Sequence, residues 1–196
     1  IVDGVFVGRG VGSDALGAVN IAMPVVMIAT AINMLTSIGG CAIAAIRLGQ
    51  NDKEGVNQAF LHSLTANVVL AAIITLVCTL LTEPLSKFLG ADAFYLPMVK
   101  EYVFWWGLFA IPSALSVNFQ FFCRNDGSPA LVAAATVIST VLNIFLDWLF
   151  VFPMQMGIMG AAIATGISQT ASWLVVAMHF ILHKGDLRIR PYKPQM

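Results

Sequence analysis

Charge is what this chain has least of. Lys, Arg, Asp and Glu make up only 10% of its 196 residues, in equal numbers of each sign, so the formal net charge is +0. Soluble domains carry about 25% charged residues, and a fold this poor in them could not cover its surface in water. Neutrality, with no basic stripe and no interleaved aromatics, argues against a nucleic-acid partner. Cysteine is scarce too. Cys41, Cys78 and Cys123 stand apart, in or beside apolar runs, with no CxxC pair and no histidine at zinc-ligand spacing, so they read as small packing residues. The signatures of membrane enzymes are missing as well: no HExxH, no GxSxG and no Walker motif, while Gly12-Ser13-Asp14 is not the GxGD of aspartyl proteases. Gly8, Gly10 and Gly12 follow an apolar run without the GxGxxG spacing of a phosphate loop. These absences leave an enzyme unsupported and imply no cofactor.

What is present is hydrocarbon. Hydrophobic residues make up 59% of the chain and the mean hydropathy is +0.86, which indicates an all-α polytopic membrane protein. A span needs about 20 apolar residues, and six segments approach or reach that. Residues 1–8 form a partial first span. Residues 15–48, 60–81, 95–122, 130–152 and 160–182 form the others. The second, interrupted by Pro24 and Gly39-Gly40, is long enough to tilt or kink. Ser13 and Ser128 are read as helix caps, and residues 83–94 as holding a short interfacial helix. Tyr95, Tyr102, Trp105 and Trp106 gather toward one end of the fourth span, as an aromatic belt does. The opening Ile-Val-Asp-Gly-Val-Phe-Val-Gly has no initiator Met, basic n-region or cleavage site, so a fragment lacking most of its first helix is expected.

The loops set orientation. Arg47, Lys53, Arg124, Lys184, Arg188, Arg190 and Lys193 fall on one side; Arg9, Lys87 and Lys100 fall on the other. The positive-inside rule puts the richer side, with the basic tail at 183–196, in the cytoplasm of a multi-pass plasma (inner) membrane protein.

The chemistry concentrates in residues 130–152, where Asn143 and Asp147 interrupt an apolar run. Four residues apart, they share a helix face. An ionised carboxylate in hydrocarbon costs at least a few kcal/mol, so Asp147 is expected to face a polar cavity, hold a cation or carry a proton. Counted from the outer helix ends, Asp3, Asp147, Thr165 and Tyr102 all lie roughly 9–10 Å deep. Two carboxylates, an amide, a hydroxyl and a phenol at one level suit Na⁺ or H⁺, since two neighbouring carboxylates do not both stay ionised cheaply. On spacing alone, Asn143 also serves as interhelical glue. Glu101 reads as interfacial, and His62, His179 and His183 as headgroup or solvent residues.

Residues 1–19 (Ile-Val-Asp-Gly-Val-Phe-Val-Gly-Arg-Gly-Val-Gly-Ser-Asp-Ala-Leu-Gly-Ala-Val) resemble the end of the first helix and start of the second in multidrug and toxic compound extrusion (MATE) transporters. Leu48-Gly-Gln-Asn-Asp-Lys-Glu, Arg124-Asn-Asp-Gly-Ser-Pro and Gly157-Ile-Met-Gly-Ala-Ala-Ile-Ala-Thr-Gly-Ile-Ser-Gln resemble three later junctions of that family. The resemblance implies the N-terminal six-helix lobe, residues 1–182, of a twelve-helix transporter that exports drugs and organic cations against H⁺ or Na⁺. It implies coupling residues at Asp3, Asn143, Asp147 and Thr165, with Tyr102 in their network and the Ala161 carbonyl as a further ligand. A further amide falls on Asn118 or Gln120. It also implies a missing C-terminal lobe as partner, alongside the lipid bilayer. Two other readings are a flippase for lipid-linked cargo, of the same superfamily, and a non-transporting scaffold that pairs helices through Asn143 and Asp147.

Overall fold

The computed structural model describes residues 2–181, and the side chains of Asp3 and His179, like the tail from 182 onward, lie outside the described residues. The described residues form eight helices: α1 (Val2–Gly10), α2 (Ser13–Gly49), α3 (Lys53–Leu80), α4 (Thr82–Phe88), α5 (Leu96–Leu108), α6 (Ala110–Asn125), α7 (Pro129–Val151) and α8 (Gly157–Ile181). Among them α2, α3, α7 and α8 are long and apolar enough to cross a membrane, and α5 with α6 makes a fifth, bent span. The chain is an all-α, multi-pass membrane protein.

The fourth expected span, 95–122, is bent: its halves, α5 and α6, meet at 50°. Pro112 is the cause. It has no N–H to give the Leu108 carbonyl, and its ring crowds that carbonyl. The Phe109 N–H turns back to Trp106 O at 3.1 Å. The Gly107 carbonyl takes the Thr75 hydroxyl of α3 at 2.9 Å, so a backbone acceptor at the break is satisfied inside the bundle.

Both serine caps need correcting. Gly12, at φ 123°, precedes α2, and Ser13 is already helical, with no side-chain cap bond. The Val11 and Gly12 amides fold back onto Val7 O, closing α1 without a side chain. Ser128 stands at the N-cap of α7 as expected, with Pro129 in the first turn, but its hydroxyl makes no cap bond. The real cap is Asp52. Its carboxylate accepts the Gly55 N–H at 2.8 Å and Arg47 Nη1 at 2.9 Å, which starts α3 seven residues ahead of the apolar run at Phe60. These two contacts, the backbone N–H first, hold its carboxyl below the usual range. The contribution is therefore present above the ordinary carboxylate pKa and fades as the pH falls through the lowered one.

Two cores stack along the bundle. The one at the end where α1 meets α2, the outer end by the positive-inside reading, joins Val7, Ala18, Ala22, Val99, Tyr102, Trp106, Ile158 and Ala161. The inner one is aromatic: Phe60 stacks on Phe180 at 5.5 Å and meets Phe119 and Phe122 edge-on at 5.6 and 4.9 Å. Because lipid tails are as apolar as the core, close packing rather than water exclusion must hold such helices together. α8 is central to this, touching α5, α6 and α7, and Gly166 is where it comes nearest the bend. A β-carbon there would collide with the base of the Phe109 ring. Gly166→Ala is expected to lower stability by about 1–3 kcal/mol through overpacking, read as a lower midpoint of thermal unfolding in detergent, whereas Gly39→Ala, which meets nothing within 4 Å, should not lower it.

Candidate cation site in the outer half

α7 carries the two polar residues singled out by the sequence, and the helix places them differently. Asp147 is fully buried at 0% exposure, while Asn143, one turn earlier, is half-buried. The Asn143 amide points to α8, where its Nδ2 lies 3.5 Å from Thr165 Oγ1, a long hydrogen bond. Two of the expected residues therefore meet. Tyr102 of α5 and Ala161 of α8 are both buried in the outer core, which also holds Val7 of α1.

The ends of the helices converge around them. Phe6 of α1 meets Phe152, just past α7, edge-on at 6.2 Å. Gly10 is so close to Val151 that a β-carbon on it would overlap that side chain. α1 and α7 thus end together, and α8 begins beside them, since a β-carbon on Gly157 would lie 3.9 Å from Val11. From that common end, Asp147 and Ala161 are four residues in, Tyr102 six, Asp3 seven and Thr165 eight. At 1.5 Å per residue this spreads them over roughly 6–12 Å of depth, little more than one helical turn. The backbone of Asp3 is in α1, one turn before Val7. The expectation that its carboxylate joins Asp147 falls on a side chain outside the described residues.

The two amides left open on α6 separate cleanly. Gln120 donates to Ser116 Oγ at 3.0 Å and across to Ser172 Oγ of α8 at 3.3 Å. Asn118 points the other way, to Ser63 Oγ of α3 at 2.8 Å and Ser37 Oγ of α2 at 3.4 Å. Gln120 is the one that reaches the helix bearing Thr165 and Ala161, two turns deeper.

Asn118 belongs to a polar cluster that sequence reasoning missed. Ser37 gives its proton to Asn33 O at 2.7 Å, and Ser63 gives its proton to Thr36 O at 3.0 Å. With those protons committed, the amides of Asn67 and Asn118 must donate to the serine oxygens, and Asn67 Nδ2 does so at 3.2 Å from Ser37 Oγ. The available signal was Ser37, Ser63, Asn67 and Asn118, each a polar residue inside an apolar span. What linear spacing could not supply was their convergence from three helices. Ser63→Ala strips Asn118 of its short bond and is expected to cost about 1–3 kcal/mol; Ser37→Ala removes only the two longer contacts and should cost about 0.5–1.5 kcal/mol. Urea or thermal unfolding of both variants checks the order.

The comparisons with known proteins fit this geometry. The MatE family model matches residues 1–149. A multidrug export protein, MepA, of Staphylococcus saprophyticus is 27% identical over 182 residues, covering 93% of this chain and 40% of that protein. A protein named FAD transporter, of Shewanella oneidensis, is 29% identical over 183 residues, covering 89% and 38%. A crystal structure of a MATE protein in the bent conformation superposes with a TM-score of 0.91 at 27% identity, covering 99% of this chain and 44% of that one. A transporter of the MOP superfamily from Pyrococcus furiosus, described as having a binding pocket of reversed polarity, superposes at 0.90 and 27% identity, covering 99% and 43%. The chain spans about two fifths of the length of the relatives it matches. Those relatives are transporters rather than enzymes. With the family model matched over residues 1–149 and the fold superposing on solved MATE structures, the chain belongs to the MatE family.

Proposed function

We propose that this chain is the ion-coupling lobe of a secondary antiporter that exports drugs or organic cations in exchange for H⁺ or Na⁺ at a plasma (inner) membrane. Its partner in transport is a second, C-terminal lobe. The observation that carries the reading is Asp147: a fully buried carboxylate on a membrane-spanning helix, one turn from an amide that reaches a hydroxyl on α8. A structural role alone gives no reason to place an acid, since Asn would pair helices at far lower cost.

In this account, Asp147 and Asp3 are the exchanging pair, with Asn143, Thr165, Tyr102 and the Ala161 carbonyl around them. Arrival of H⁺ or Na⁺ from outside removes the repulsion between the two acids. α1 can then close against α7, which narrows the drug cavity and releases cargo outward. Alternating access moves one lobe against the other, so the coupling energy must be spent where helices shift.

Gradient-driven efflux from proteoliposomes holding the full-length protein tests the reading. Wild type should respond to one imposed gradient, and Asp147→Asn should fall to the rate without a gradient while still folding and inserting. Normal efflux in Asp147→Asn would refute it. The relative named FAD transporter supports a second reading of cargo alone, an anionic dinucleotide in place of a cation. Competition by FAD against a cationic dye in the same vesicles separates the two.

A further inference from the structure

The seam between α7 and α8 carries polar contacts at successive turns. Ser139 is buried on α7, one turn inward of Asn143 and two turns inward of Asp147, toward the same face of the helix. Its hydroxyl donates to the main-chain carbonyl of Ser168 on α8 at 2.8 Å. The two helices run in opposite directions, so a step of four outward along α7 is met by a step of three or four back along α8. Ser139 stands level with Ser168 and Asn143 with Thr165. By the same count Asp147 stands level with Ala161.

These rungs differ in strength. Asn143 Nδ2 lies 3.5 Å from Thr165 Oγ1, at the limit of a hydrogen bond and between two side chains that can both turn. Ser139 instead reaches a fixed main-chain acceptor, at the length of a good bond. Ser168 does not share the task, because its own hydroxyl is turned back to Ala164 O at 2.7 Å. At the outer end the seam is closed by packing: a β-carbon on Gly160 would lie 2.9 Å from that of Phe150. The candidate cation site is strung between that contact and Ser139. In lipid no hydrophobic drive presses α7 onto α8, so directional contacts and close packing must set their alignment.

We propose that Ser139 is a positioning residue for the coupling ion. It holds α7 against α8 one turn inward of Asn143, and so keeps Asn143, Asp147, Thr165 and the Ala161 carbonyl at ligand spacing. This rests on the coupling role proposed for that site; Ser139 itself touches neither ion nor cargo.

Equilibrium binding of a cationic dye to the purified full-length protein, titrated with Na⁺ and with H⁺, reads the midpoint of the ion's effect. Ser139→Ala should move that midpoint to higher ion concentration by about threefold to tenfold, the span of one lost hydrogen bond, with dye affinity at low ion unchanged. Ser139→Cys, a weak donor of similar size, should move it the same way and serves if the alanine variant fails to fold. Ser139→Thr keeps the hydroxyl and should restore the wild-type midpoint. Ser168→Ala removes a hydroxyl from the same seam but leaves the carbonyl, so its midpoint should stay in place; a packing role alone would shift both alanine variants equally. A midpoint unmoved in Ser139→Ala and Ser139→Cys, or moved as far in Ser168→Ala, would overturn the proposal. A wild type that ignores both ions overturns the coupling reading and this proposal with it, a result distinct from the failure of Ser139 alone.

Discussion

The cost of a carboxylate inside a bilayer is the constraint on which the rest of this structure depends. Asp147 is fully buried on α7, a helix whose other faces carry Val137, Val141, Ile144 and Phe145 outward. Leaving the acid in hydrocarbon costs at least a few kcal/mol, so α7 has to be walled by other helices along that face. α8 supplies one wall and α1 the other. The end of α1 is fastened to α7 by the Phe6–Phe152 ring pair and by Gly10 against Val151.

The remaining polar groups obey the same constraint by simpler means. Hydroxyls of Thr30, Thr65, Thr136, Thr140 and Thr170 bond the carbonyl one turn back on their own helix, at 2.8 Å in each case. This satisfies them without recruiting a partner. Those that leave their own helix mark helix contacts: Thr75 at the α5–α6 bend, Ser139 to Ser168 O at 2.8 Å between α7 and α8, and the serine–asparagine cluster joining α2, α3 and α6. Below them the aromatic core of Phe60, Phe119, Phe122 and Phe180 closes the inner half.

Much of this was legible in the sequence, and the failures have physical reasons. Apolar run length gave the spans and the class, because hydrocarbon thickness leaves few alternatives. The four-residue spacing of Asn143 and Asp147 placed both on one helix, whereas the depth count, which set Thr165 level with Asp147, did not foresee that Thr165 meets the Asn143 amide one turn away. The bend was not read although Pro112 announced it, since the apolar stretch on both sides of it, from 102 to 117, reads as one span by length and hydropathy. The start of α3 was missed because a single cap, Asp52 to the Gly55 N–H, extends a helix into polar sequence. The orientation of Gln120 against Asn118 could not be read at all. Two residues apart on a helix point in nearly opposite directions, and only the packed neighbours decide which faces the site.

The central claim is that cargo and coupling ion compete through Asp147, and linkage makes that measurable without transport. If H⁺ or Na⁺ at this carboxylate disfavours the drug-bound state, drug affinity must fall as that ion rises, by the same factor that drug lowers the ion's affinity. Equilibrium drug binding to the purified full-length protein, across pH and across Na⁺ concentration, is the direct test. The account predicts weaker binding as one of the two ions increases in wild type, and a flat response in Asp147→Asn. An affinity that ignores both ions in wild type, or an ion dependence that survives in Asp147→Asn, would contradict it.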